Sequence, residues 1–213
     1  MMKRLLSTTS KVLHMAHEQN ETRMNLIQAT SDLMDLHAIE DISAAMVLER
    51  ADASKSSMYH FFEDFGDLLD ETYVVRFGRD VKESIVVIEK ILARSRTKEE
   101  FFVALDRLTA STQARELAEL RFRRARKLAR SQHNEKFRKS LGALQQELTD
   151  SLTNAFQTAQ DKGFLNKSFE ARTGAVFIQA YTLGRIVDDI TTTHMNDADW
   201  EKLIGRIARE VLG

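Results

Sequence analysis

The chain has 213 residues, 43% hydrophobic and 30% charged, a balance that excludes a disordered polymer and suits a small domain joined to a larger one. It has no Cys, no Pro and only eight Gly. Disulfides and thiolate metal sites are therefore excluded, a reducing cytoplasmic setting is expected, and a sheet protein would need more turn residues. The net charge of −1 hides an uneven distribution: residues 1–66 hold 6 Lys/Arg against 10 Asp/Glu, residues 67–130 hold 15 against 11, and residues 131–213 hold 10 against 11.

The segment 1–19 opens Met1-Met2-Lys3-Arg4-Leu5-Leu6, but Lys11 interrupts it before an apolar core can form, so no signal peptide is expected. It reads as a flexible arm. Nothing approaches the roughly 18 apolar residues of a membrane span, and no membrane partner is expected. Asn20 is positioned to cap a first helix through about His37, with Met24, Ile27, Leu33, Met34 and Leu36 as its apolar positions. Two short helices follow, about Ala44–Ala51 and Lys55–Phe61, with Ser43 and Ser54 as N-caps. Only Asp52 and Ala53 separate them, the length of the sharp turn in a helix-turn-helix.

Longer helices are predicted beyond. One spans about Asp67–Ala93, and Thr97-Lys98-Glu99-Glu100, of capping-box form, opens another through about Leu108. A basic helix covers about Gln113–Arg130, and another runs from Asn134 to Asp161 with Lys162-Gly163 as its stop. The last two cover about Phe169–Thr193 and, capped by Asn196, Asp197–Leu212. The expected fold is all-α: an arm at 1–19, a three-helix helix-turn-helix module at 20–66, and a larger helical domain at 67–213.

Residues 39–62, IEDISAAMVLERADASKSSMYHFF, combine a Ser cap, a short apolar helix, Ala51-Asp52-Ala53-Ser54, then Lys55, Ser56-Ser57-Met58 and the block Tyr59-His60-Phe61-Phe62. Leu68-Leu69 follow. This pattern resembles the DNA-binding segment of the TetR (tetracycline-repressor) family. The resemblance implies a second short helix that enters a major groove about 12 Å wide. The small Ser56 and Ser57 let its backbone approach base edges, while Lys55, Tyr59 and His60 face DNA and Ser54 lies at the helix start. Ser43 would cap the preceding helix and touch phosphate, Arg23 would anchor the first helix, and Val47, Met58 and Phe62 would be buried. Asp52 stands where the family has a turn Gly, a position that Asp tolerates better than most residues. His37 stands at or close to another family Gly. Phe61 and Phe65 replace a His and a Lys that reach phosphate in the family. Lys3, Arg4 and Lys11 are candidates for compensating contacts from the arm.

The resemblance also implies a homodimer paired through the last two helices and holding two recognition helices about one DNA turn apart, ~34–36 Å, on a near-palindromic double-stranded operator. Gly174, Ile178, Tyr181 and Arg185 form one candidate seam, and Trp200, Leu203, Ile204, Ile207 and Val211 another; core inside one subunit is the competing reading. A small, mostly apolar effector is expected among the helices that carry Phe101, Phe102, Phe122, Phe137, Phe156, Phe177 and Tyr181. Residues 115–130 hold seven basic residues against two Glu. They read as a solvated face, or, through Arg123, Arg126 or Arg130, as the holder of an anionic ligand.

Six His are dispersed. His14 and His17 could share a metal, but no metal-ligand motif, nucleophile elbow or Gly-rich phosphate loop is present. No enzyme activity, cofactor or metal is expected. The alternative to a DNA-binding regulator, probed by the acidic N-terminal third, is a helical small-molecule-binding protein with weak or lost DNA binding.

Overall fold

A computed structural model describes residues 20–213. The expectations for the arm, including Lys3, Arg4, Lys11, His14 and His17, lie outside the described residues. Two compact units divide the chain, the first ending at Arg76 and the second spanning Phe77–Gly213.

In the first unit α1 covers described residues 20–36, so Asn20 is already helical and is not a cap. Ile27, Leu33 and Met34 are buried as expected, together with Leu26 and Ala29, whereas Met24 and Leu36 are exposed. A single 3-10 turn, Ile39–Asp41, leads to α2 (Ala44–Arg50), and α3 spans Lys55–Phe61. Both short helices start where a Ser side chain satisfies a free amide of the first turn: Ser43 Oγ accepts from Met46 N (3.4 Å) and Ser54 Oγ from Ser57 N (3.0 Å).

The turn between α2 and α3 closes with two nested bonds, Ala53 N to Leu48 O (3.0 Å) and Asp52 N to Glu49 O (3.3 Å). That geometry requires a left-handed residue, and Asp52 supplies it at φ 47°. The 30-residue helix α4, Phe65–Arg94, begins slightly before its predicted start. Asp64 Oδ1 accepts from Asp67 N (2.8 Å) while Asp67 Oδ2 accepts from Glu63 N (3.1 Å), so two short acids cap it reciprocally. Val47, Met58, Phe62 and Leu68 join the buried α1 residues and Ile42 in one core.

In the second unit, α5 (Lys98–Thr112) is capped by Thr97, and Glu100 Oε2 reaches back to Arg96 N (2.8 Å). The basic helix is shorter than predicted. Gln113 is the fully buried end of α5, a 3-10 turn covers Arg115–Leu117, and α6 spans Ala118–Ser131. The break is held by Trp200 Nε1, which donates to Gln113 Oε1 (3.1 Å), and by Arg121, which donates to Ala114 O (3.2 Å).

Helix α7 (Glu135–Asp161) is capped by Asn134 and ends as predicted at Gly163, φ 71°, with Phe164 N bonded to Ala159 O (2.9 Å). Gln160 then donates to Asn166 O (2.9 Å) and Phe169 O (3.0 Å), which holds Phe169 in a loop and delays α8 to Ala171–Gly184. The predicted helix through Thr193 breaks at Arg185, leaving a short α9, Ile186–Asp189. Its guanidinium is buried and ion-paired to Asp197 at the start of α10, Asp197–Ile207, which continues as a π turn, Ala208–Leu212. Among the described residues there is no strand, and no helix is long and apolar enough to cross a membrane.

Candidate nucleic-acid interface and ligand cavity

The candidate DNA-facing residues gather on α3 and its approach. Lys55, Ser56, Tyr59 and His60 are exposed, Ser57 is half-buried, and Met58 and Phe62 on the opposite side are buried. Packing of Met58 and Phe62 into the core fixes which face turns outward, since residues three and four apart share a helix face. The Ser54 hydroxyl sits 2.8 Å from those of both Ser56 and Ser57, so three hydroxyls converge at the start of α3. Lys55 Nζ lies 5.9 Å from the centre of the Tyr59 ring, a cation–π arrangement that orients both side chains. Ser43 is exposed, its hydroxyl engaged as the α2 cap.

Arg23, the remaining candidate of the DNA-facing set, has partners inside the unit. It ion-pairs with Glu71 and stacks 5.6 Å over the Phe62 ring, tying α1 to α4 within the unit. The other arginines of this unit are engaged similarly, Arg50 with Asp32 (3.1 Å) and Arg76 with Asp35 (2.5 Å) and Ser31 O (2.7 Å). Across residues 20–76 there are 4 Lys/Arg against 12 Asp/Glu, so Lys55 is the one basic residue of this stretch without a carboxylate pair among the described residues.

The second unit holds a cavity of about 820 Å³ that is partly open to solvent. Of the seven predicted ligand aromatics, Phe101, Phe156, Phe177 and Tyr181 line it. The other three are corrected: Phe137 is buried core, Phe102 is buried beneath Arg209, 5.3 Å from its ring centre, and half-buried Phe122 stands apart from the cavity wall. Burial pushes the Tyr181 phenol above its ordinary pKa, partly offset by hydrogen bonds with Thr109 and Thr182.

Two polar groups on the wall are satisfied internally. Gln145 Nε2 donates to Gln179 Oε1, and Gln179 Nε2 donates to Thr149 Oγ1 (3.2 Å). Asp106 accepts two bonds from Arg209, at 2.9 and 2.5 Å. The cations on the wall are Arg124 and Lys127, and they replace Arg123, Arg126 and Arg130 as the basic residues beside a ligand space. Arg126 is exposed and bonds Glu119 (3.3 Å). Leu120, Arg124, Lys127 and Leu128 all face the cavity from one side of α6, and this helical spacing is the signal by which they were findable.

The predicted pairing stripe on α8 faces inward. Gly174 is packed so closely on α7 that an added Cβ would lie 2.5 Å from Phe156, so the small residue serves an approach within one subunit. Ile178 and Tyr181 turn to the cavity, and Arg185 is buried against Asp197. On α10, Ile204 and Ile207 also line the cavity, and Trp200 is held by Gln113. Only Leu203 and Val211 of the predicted set are exposed, and the outward apolar residues of α8 and α9 are Val176, Phe177, Ala180 and Val187.

A buried ion pair stands behind this face. Arg121 grips Asp189 through two bonds, 2.5 and 2.8 Å, with both side chains almost fully buried. These bonds hold the Asp189 carboxyl below the usual carboxylate range against the cost of its desolvation. Among the described residues no group of three His, Asp or Glu side chains is placed to hold a metal.

No family model and no curated protein matches the chain. Solved structures do. One is a protein from Mesorhizobium loti assigned to the TetR family of transcriptional regulators, 16% identical, covering 92% of this chain and 98% of that one with a TM-score of 0.67. A TetR transcription regulator from Haloarcula marismortui is 12% identical over 91% of this chain and 98% of that one, TM-score 0.64. The regulator FadR from Bacillus subtilis, solved with stearoyl-CoA, is 12% identical over 87% and 97%, TM-score 0.55. The chain has the all-α fold of TetR-type transcriptional regulators.

Proposed function

We propose that the chain is a ligand-responsive transcriptional regulator, a repressor in its simplest form, that binds a near-palindromic DNA operator as a cytoplasmic homodimer. The observation that carries this is the outward set Lys55, Ser56, Tyr59 and His60 on the second helix of a helix-turn-helix, with Met58 and Phe62 buried behind it. Short hydroxyl side chains flanked by a phenol and an imidazole can meet base edges in the major groove without holding the backbone away. Val187, Leu203 and Val211, which do not line the cavity, are exposed apolar residues that a second subunit would cover. A mostly apolar effector in the 820 Å³ cavity would shift the equilibrium between dimer geometries by binding one better than the other. The Bacillus subtilis neighbour, solved in complex with stearoyl-CoA, is a precedent for a ligand with a long apolar chain. Catalysis forms no part of the proposal.

The test is selection of random duplexes by mobility shift with the purified chain at about 50 mM salt. An enriched two-fold motif is expected, and it should disappear in Tyr59→Ala/Ser56→Asp while the melting temperature stays within a few degrees. No enrichment would overturn the proposal. One observation favours a second reading, a ligand-binding protein with weak or lost DNA binding: the excess of 12 acidic over 4 basic residues across residues 20–76. Ligand uptake without any selected duplex would support it.

A further inference from the structure

The cavity wall is mostly apolar. Phe101, Leu148, Leu152, Phe156 and Leu165 form one part of it. The amides of Gln145 and Gln179 are bonded to each other, and Asp106 is held by Arg209, so none of these calls for a polar partner in a ligand. Arg124 is different. It is partly buried, its guanidinium makes no hydrogen bond or ion pair among the described residues, and it rests 5.6 Å over the ring of Phe77. Burial lowers its pKa from the ordinary value, and the field of Asp80 only partly restores it. Lys127, one helical turn further along α6, is buried and lines the same cavity. The acids of the wall other than Asp106, Asp80 and Glu83, are exposed side chains of α4. Arg124 and Lys127 are the two cations of the wall, one turn apart on α6 and next to apolar residues.

We infer that the cavity takes an amphipathic anion, a single carboxylate on a linear apolar chain, with the carboxylate on the Arg124 guanidinium beside Lys127 and the chain along Phe101, Leu152 and Phe156. A partly desolvated guanidinium without a fixed acceptor binds a carboxylate in a two-point fork, and such a charge-assisted contact strengthens where water is excluded. An uncharged polar head leaves the cation uncompensated, and an ammonium head opposes it. The volume of about 820 Å³ lies within the range that encloses a ligand of this size.

This inference rests on the reading of the cavity as the effector site, and the experiment separates the two. Decanoate, decanol and decylammonium are titrated calorimetrically into the full chain, and into Arg124→Gln and Arg124→Lys. Decanoate should bind the parent chain roughly tenfold or more tightly than decanol, and decylammonium should bind worst. That preference should vanish in Arg124→Gln and partly return in Arg124→Lys, while decanol affinity stays the same in all three. Equal binding of acid and alcohol, or an acid preference that survives Arg124→Gln, overturns the inference and leaves the effector cavity standing. Failure of every probe to bind overturns both. An acid preference without any effect on selected DNA upholds the inference and removes the regulator reading.

Discussion

At the scale of single residues, the turn between α2 and α3 rests on Asp52. Its φ of 47° is the one positive value among described non-Gly residues, and the two bonds of the turn depend on it. An L-residue with a Cβ is strained there, and Asp less than most, because its short polar side chain interacts locally. Asp52→Gly relieves the strain while adding unfolded-chain entropy, and the net expected effect is a gain of about 0.5–1 kcal/mol in urea unfolding. A loss of stability would mean that the Asp52 carboxylate contributes more than the strain costs. This position was legible without coordinates because left-handed geometry and helix capping are local properties. Ser43, Ser54, Thr97, Asn134 and Asn196 all cap where their residue type and position suggested.

At the scale of elements, legibility ended where a helix is the same on several faces. Helix α8 is apolar on several sides, and periodicity could not show that Gly174 packs on Phe156 or that Val176 to Leu183 all border the cavity. Helix α6 poses the same problem with charge. Arg121 is buried on Asp189, Arg124 and Lys127 face the cavity, and Arg126 points to solvent and Glu119. Which cation goes where is decided by tertiary partners that lie far along the chain. The Arg121–Asp189 pair has a measurable consequence. Because the folded carboxyl titrates below its unfolded value, its contribution is complete above the unfolded pKa of about 4 and is lost as pH falls through the lower folded value. Arg121→Met leaves the buried Asp189 carboxylate without its hydrogen-bonded partner, with only the fields of Arg185 and His194, and should cost up to about 3–5 kcal/mol at pH 7. The gap between the two proteins should narrow as pH drops from about 5 to 3, as protonation of the carboxyl removes what Arg121 stabilised. A gap independent of pH would show that Arg121 acts through packing alone.

At the scale of the whole molecule, charge sets how the proposed regulator meets DNA. Each phosphate neutralised by a cation contributes about −0.9 to the slope of log Kobs against log salt. Lys55 from two subunits accounts for about −2, and each further unit would count a cation from the segment 1–19, where Lys3, Arg4 and Lys11 stand. A slope steeper than about −8 would require that Arg23, Arg50 and Arg76 leave their carboxylates on binding. Fold class was readable from one chain, since it depends on composition and apolar periodicity, and the buried side of α3 followed from the family resemblance. The cavity was not, because its walls are assembled from helices distant in sequence.

The internally paired arginines of the N-terminal unit carry a kinetic implication. A protein that slides and hops along chromosomal DNA does so on nonspecific phosphate attraction. With Arg23, Arg50 and Arg76 held by Glu71, Asp32 and Asp35, the described residues of the proposed regulator would add little to that attraction. Target finding would proceed mainly by repeated three-dimensional encounters, with little of the protein stored on random sequence, so that even a few copies per cell remain available to the correct site.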